Sequence, residues 1–200
     1  RARRRAPGAC GAAAGRGAPA EMGGSGSTGK EVRAVVVGMP KAGSKALASY
    51  ITTGQFPESA FETAAATEWQ KIRRTFEELD LHVLGAGSAQ YLWAKHVPSA
   101  QALVFVVDGS EDIDTARVAK MFAAVVDGGL PEGVPITVVL NKADLVEDPA
   151  KGEERKGIAA AAIGAACGAV RQCRVLTASA RTGDGVDEVV RVICGNGLTF

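Results

Sequence analysis

Three short, mostly apolar runs rich in valine punctuate the chain: Val32 to Val37, Ala102 to Val107 and Pro135 to Leu140. Runs of this length and composition read as strands buried on both faces of a parallel sheet. Cys173 to Leu176 reads as a further strand, while Leu79, Leu81 and Val83 alternate with Asp80 and His82, which predicts a half-exposed one. Between the strands the period changes to that of helices. A glycine-rich turn at Gly38 opens into one. Ser110 is a candidate N-cap for a second, followed by Ile113, Met121, Phe122, Val125 and Val126 at helical spacing. Gly152 to Val170 predicts a weaker helix. Val186, Val189, Val190 and Ile193 form the stripe of a last one, stopped by Gly195-Asn196-Gly197. This alternation predicts a single α/β domain with a doubly wound, mostly parallel sheet, whose ligands sit at the carboxyl ends of the strands.

Composition narrows the class without choosing a function. The chain has 200 residues, 46% of them hydrophobic and 22% charged, as expected of one globular domain with one core. A net charge of +1 gives no footprint for nucleic acid, and none is expected as a partner. No run approaches the ~20 apolar residues of a membrane span. The four cysteines, Cys10, Cys167, Cys173 and Cys194, show no Cys-x-x-Cys spacing, so reduced thiols in a cytoplasmic protein are expected.

Residues 1–29 are expected to be disordered and residues 30–200 to form the folded domain. Arg1 to Glu21 are almost all Arg, Ala, Gly and Pro and carry nothing that buries a core. The first methionine is Met22, and the sequence from there, Met-Gly-Gly-Ser-Gly-Ser, fits the N-myristoylation pattern with Gly23 as acceptor. Residues 1–21 are therefore expected to lie upstream of the native start. A transit peptide and a flexible tail without a role are the alternatives; the run lacks the amphipathic apolar face of the former.

The chemistry-bearing residues fall where a doubly wound sheet would place them. After the first strand comes Gly38-Met39-Pro40-Lys41-Ala42-Gly43-Ser44-Lys45, a turn that can present backbone N–H groups to phosphates at a helix N-terminus. Asn141-Lys142-Ala143-Asp144 ends the third apolar strand, and Thr177-Ala178-Ser179-Ala180-Arg181 follows the next. Gly24 to Lys30 also spells Gly-x4-Gly-Lys, but Glu31 follows it and no strand precedes it, so it is read as tail.

Lys30-Glu31-Val32-Arg33, the Gly38 loop, Thr53-Gly54-Gln55-Phe56, Leu92-Trp93, Phe105-Val106-Val107-Asp108 and Asn141-Lys142-Ala143-Asp144 together resemble the Arf and Arf-like small GTPases. The resemblance covers Lys30 to Cys194 and is weak between Pro57 and Ala89. It implies a P-loop G domain that binds GTP or GDP. It gives Asp144 the guanine N1–H and exocyclic amine, donors that adenine lacks. It gives Asn141 the task of holding the loops together, and it lays the stem of Lys142 over the base. Ala180 would offer its N–H to guanine O6, and Ser179 would fix the turn.

The phosphate end departs from the family pattern. Gly-Lys-Ser/Thr is required, and Gly43-Ser44-Lys45 stands in its place, so the lysine and the hydroxyl residue are exchanged. Successive helical residues point about 100° apart, so Lys45 cannot reach where the family lysine reaches. An ammonium cannot ligate a cation, which puts magnesium binding in question and leaves the metal residues unassigned. Lys45 could instead lend its charge to the phosphates, assisted by Lys41, with Gly38, Ala42, Gly43 and Ser44 lining the loop. The second phosphate motif falls on His82-Val83-Leu84-Gly85-Ala86. Gly85 keeps an N–H for a γ-phosphate, Ala86 replaces the glutamine that orients water, and His82 reads as an exposed strand residue. Thr63 is nearest by count to the first-switch threonine. No residue is assigned as catalytic, and hydrolysis is expected near background. Two functions follow: a GTP/GDP-binding switch in membrane trafficking, read by effector or regulatory proteins when residues 56–91 order, or a pseudo-GTPase interaction module that binds no nucleotide.

Overall fold

The computed structural model describes residues 32–57, 68–74, 77–84, 90–167 and 173–195. Strand β1 (Val32–Gly38) leads through a loop into helix α1 (Ser44–Thr53). Strands β2 (Glu68–Arg74) and β3 (Glu77–Leu84) pair as an antiparallel unit. Helix α2 (Gln90–His96) and a 3-10 turn over Val97–Ser99 lead to β4 (Ala102–Asp108) and α3 (Thr115–Asp127). Strand β5 (Ile136–Asn141), α4 (Pro149–Cys167), β6 (Cys173–Thr177) and α5 (Val186–Ile193) complete the order.

The sheet runs β2-β3-β1-β4-β5-β6. Five strands are parallel, and β2 is an antiparallel edge. From β1 the chain moves outward to β3, then returns across β1 to β4 and on to β6. Right-handed crossovers therefore place α1 on one face and α3 and α4 on the other. Helix α5 returns to pack against α1, and α3 packs against α4. The reversal lies between β1 and β4, and it opens a crevice at their carboxyl ends. This is the doubly wound, mostly parallel α/β sheet that the valine-rich runs predict, and the P-loop G-domain architecture that the resemblance implies.

Covered faces explain the runs. Residues 34–37 of β1, 102–107 of β4 and 136–140 of β5 are all buried. Phe105 of β4 meets Phe122 of α3 edge-on, with ring centroids 5.4 Å apart and planes at 82°, a favourable aromatic geometry.

Two expectations are corrected. Ser110 does not cap α3: its hydroxyl donates to Asp108, and Asp114 caps the helix by accepting from the Arg117 N–H at 3.0 Å. A helix starting at Thr115 puts Ile113 ahead of its first turn. Strand β3 is not half exposed either. It lies between β2 and β1 with both faces packed, so Asp80 is 8% exposed and His82 only 1%.

The turn from β6 into α5 is fixed by glycine. Gly185 has φ 73°, and a Cβ there would lie 2.3 Å from the Thr177 carbonyl oxygen. Gly185→Ala must strain the backbone and displace a main-chain atom, so it should cost about 2 kcal/mol or more. A denaturant midpoint matching that of the unaltered protein would contradict this.

Candidate functional site

The phosphate loop begins where β1 ends. The Met39 N–H donates to the Val106 carbonyl at 2.8 Å and the Ala42 N–H to the Met39 carbonyl at 3.1 Å. Lys41 turns the loop with φ 65° and lies exposed; Gly43, at φ 83°, is the N-cap residue of α1. Gly38 has no room for a side chain, because a Cβ would sit 2.6 Å from the Ser44 Cβ and 2.8 Å from its Oγ. The Ser44 side chain therefore lies over Gly38, buried at the head of α1. Helical geometry turns the following residue away, and Lys45 is half-buried.

The base half is built from the ends of β4, β5 and β6, which the register holds level: Asp108 is opposite Asn141, and Leu140 is opposite Thr177. Asn141 is 2% exposed and ties three loops. Its Nδ2 donates to the Ala42 carbonyl at 2.8 Å, and its Oδ1 accepts from the Ala180 N–H at 3.0 Å. A Cβ on Gly43 would come within 2.5 Å of that Nδ2, so the amide needs glycine opposite it.

Ser179 organises the last loop. Its hydroxyl donates to Asp144 Oδ1 at 2.6 Å and accepts from the Arg181 and Thr182 N–H groups at 3.2 and 3.1 Å. Asp144 is thus anchored through one oxygen while the residue remains exposed. The Ala180 N–H, which the resemblance gives to guanine O6, here serves Asn141. A bound base would have to share it.

Lys142 sits at φ 65°, and its ammonium donates to Asp108 Oδ2. Asp108 Oδ1 accepts from the Ser110 N–H at 3.0 Å and hydroxyl at 2.6 Å. Burial would raise the Asp108 carboxyl, but hydrogen bonds from Lys142 and Ser110 outweigh it and hold the group below its ordinary value. This pairing was not foreseen, since 34 residues separate the two side chains. Nor was the cleft of about 770 Å³ beside the loop, lined by Tyr50, Thr53, Gln55, Phe56, Arg181 and Thr182 among others. Phe56 is 41% exposed at its rim.

The structure thus brings together Gly38, Lys41, Ala42, Gly43, Ser44 and Lys45 at one turn, and ties that turn through Asn141 to Ala180, beside which Ser179 holds Asp144, while Lys142 follows Asn141 and bonds Asp108. Gly85, Ala86, Thr63 and Gly23 lie outside the described residues. His82 is not the exposed residue expected. Its Nε2 is 3.2 Å from Asp80 Oδ2, and its ring lies 5.4 Å from that of His96, centroid to centroid. Arg33 also reaches Asp80, Nε to Oδ2, at 3.4 Å. Both histidines of the chain are therefore packed under the end of β3.

The model of the ADP-ribosylation factor (Arf) family matches residues 21–196. The chain belongs to the Arf family. It is also 29% identical over 173 residues to the tRNA modification GTPase MnmE of Shewanella amazonensis, covering 78% of this chain and 33% of that protein. With the GTPase Obg of Rubrobacter xylanophilus it shares 30% identity over 169 residues, 79% of this chain and 37% of that one. The chain spans about a third of the length of these two relatives. Arf membership makes it a GTPase-like nucleotide-binding domain.

Within an Arf-family domain the altered residues stand out. The resemblance to the family would put Ser44 at the position of the phosphate-binding lysine, Lys45 at that of the magnesium ligand and His82 at that of the acid that holds a metal-bound water. Among the described residues no three His, Cys, Asp or Glu side chains converge on a metal position. No described helix is long and apolar enough to cross a membrane.

Buried His96 gives this Arf-family chain a pH dependence. Burial lowers the His96 imidazole from 6.5, and repulsion from His82 and Lys95 adds to it. Above 6.5 the ring is neutral folded or unfolded, and its contribution to stability is whole. As pH falls from 6.5 toward the folded value, the unfolded chain takes up a proton the folded one resists, and stability is lost. His96→Gln should flatten the fall in denaturation midpoint between about pH 7 and pH 5. An unchanged slope would contradict the assignment.

Proposed function

We propose that this Arf-family domain is a guanine-nucleotide-binding regulatory switch that hydrolyses GTP at near-background rates. The observation that carries the reading is the Asn141 amide, which joins the phosphate loop to the Ala180 turn while Ser179 anchors Asp144. Base recognition needs those loops at fixed spacing. Asp144 would accept from guanine N1–H and the exocyclic amine, the Lys142 stem would cover one face of the base, and Ala180 would share its N–H with O6. Adenine offers no such donors and would leave the carboxylate uncompensated.

At the other end, backbone N–H groups of Gly38 to Gly43 and the head of α1 would meet the phosphates. The donor set does not suit magnesium in the usual way, because Lys45 replaces the hydroxyl ligand and His82 the acid. Lys45 would instead bring a positive charge toward the phosphates from the metal side, with Lys41 as a second cation, and Gly85 would add an N–H. Without a glutamine to orient water, at Ala86, little remains to lower the hydrolytic barrier. Output would come from ordering of residues 56–91 by GTP and from effectors that read it. If Gly23 is acylated, one myristoyl chain gives only marginal membrane affinity, so peripheral attachment and a trafficking role would need a second contact.

The exchange of Ser44 and Lys45 favours one other reading, a pseudo-GTPase module that binds proteins without nucleotide. Titration with fluorescent GTP, GDP and ATP, with magnesium and then with excess EDTA, separates them. Guanine-selective binding that persists in EDTA is the expected result. Binding abolished by EDTA would keep the switch and discard the lysine substitution. A folded protein with no binding below about millimolar would leave the interaction module.

A further inference from the structure

We infer that Asp108, aimed by Ser110, is a positioning residue for guanine: it draws the Lys142 side chain across the strand ends so that its methylenes form a fixed platform for the base. The inference rests on the guanine-nucleotide reading and goes beyond it by assigning a residue that never touches the ligand.

Lys142 leaves β5 just after Asn141, and Asp108 ends β4, with Asp108 and Asn141 paired in the register. Neighbouring strands lie about 4.8 Å apart. A lysine rooted beyond one strand end, with its ammonium on the carboxylate ending the next, must run sideways over the sheet rather than out into solvent. Both ends of that span are fixed. At the near end the Lys142 backbone holds φ 65°, a conformation uncommon for a residue with a Cβ. At the far end Asp108 cannot swing, because the Ser110 N–H and hydroxyl both hold Oδ1 and leave Oδ2 for the ammonium.

The pair differs from an ordinary surface ion pair. Its side chains are 31% and 18% exposed, and one partner is pre-aimed by two further hydrogen bonds. An exposed lysine with free rotamers would lose that freedom each time a base stacked on it, whereas one already pinned loses little. The low carboxyl of Asp108 keeps the anchor charged across the whole range in which the protein would work. Ala143 and Ala178 close the other side: the Ala143 N–H donates to the Ala178 carbonyl at 3.1 Å, so the platform and the Ser179 turn share one frame.

A double-mutant cycle tests this, with GDP affinity and the melting temperature of ligand-free protein measured for the unaltered chain, Asp108→Ala, Lys142→Ala and the pair. Asp108→Ala should weaken GDP binding about tenfold, and Lys142→Ala at least as much. The double variant should bind as Lys142→Ala does, because Asp108 has no role once the stem is gone. Losses that multiply, or an Asp108→Ala protein that binds like the unaltered one, would overturn the inference. If Asp108→Ala does not fold, Asp108→Asn keeps the one acceptor oxygen that Ser110 uses, removes the acceptor that faces Lys142, and should show a loss with the same dependence on Lys142. An unaltered protein that binds no GDP would defeat the guanine-nucleotide reading itself, and this inference with it. Binding by the unaltered protein with an additive cycle would defeat the positioning role alone.

Discussion

A buried primary amide must satisfy its donors and its acceptor, or its desolvation is uncompensated. Asn141 does so by reaching two loops from the end of β5: its Nδ2 to the Ala42 carbonyl and its Oδ1 to the Ala180 N–H. Neither partner is near it in sequence, with separations of 99 and 39 residues. The crevice between β1 and β4 and the turn after β6 are therefore set at one distance by a single side chain. Gly43 must be glycine to leave it room, and Ala180 must present its N–H inward. The position of Asp144, held through Ser179, then follows from the same frame.

That constraint explains why the two ends of the site can diverge. The base half depends on hydrogen bonds that also hold the fold together: the Ala178 N–H, just past β6, donates to the Leu140 carbonyl of β5, and the Ser179 N–H closes the turn into α5 on the Asp184 carbonyl, both at 2.9 Å. The phosphate half depends on which side chains occupy the first turn of α1. Exchanging Ser and Lys there changes charge and ligation without disturbing the loop, since the small Ser44 fits over Gly38. On the proposed reading, the chemistry of hydrolysis would be lost in this way while the base frame stays whole. His82 is likewise accommodated: its imidazole packs in a cluster with Asp80 and His96.

Much of this was legible in the sequence, for reasons that differ by element. Strands β1, β4 and β5 announced themselves because both faces are covered and their residues are nearly all apolar. Strand β2, Glu-Trp-Gln-Lys-Ile-Arg-Arg, gave no such signal, since an edge strand need not be apolar. Helix α2 is seven residues long and too short to show a period. Alternation misled at β3, where a buried His82–Asp80 contact replaces solvent as the partner of the polar face. Ser110 misled because Asp108, two residues before it, was the better partner for its hydroxyl. In the site, local pattern and resemblance singled out Asn141 to Asp144 and Ser179 to Ala180, and the structure brings these residues together. The Lys142–Asp108 contact and the cleft beneath Phe56 and Arg181 depend on which strand ends the topology makes neighbours, which no local pattern reports.

On the proposed function, Asp144, fixed by Ser179 in a frame set by Asn141, reads a guanine base. The most direct measurement is the affinity of the unaltered protein and of Asp144→Asn for GDP and for the xanthine analogue XDP. Xanthine carries a carbonyl where guanine carries the amine, so an amide complements it and a carboxylate does not. The account predicts a preference for GDP that reverses in the variant, with a swing of at least about a hundredfold in the ratio. The same ratio in both proteins would mean that Asp144 only caps a turn, and that the base site read here is not one.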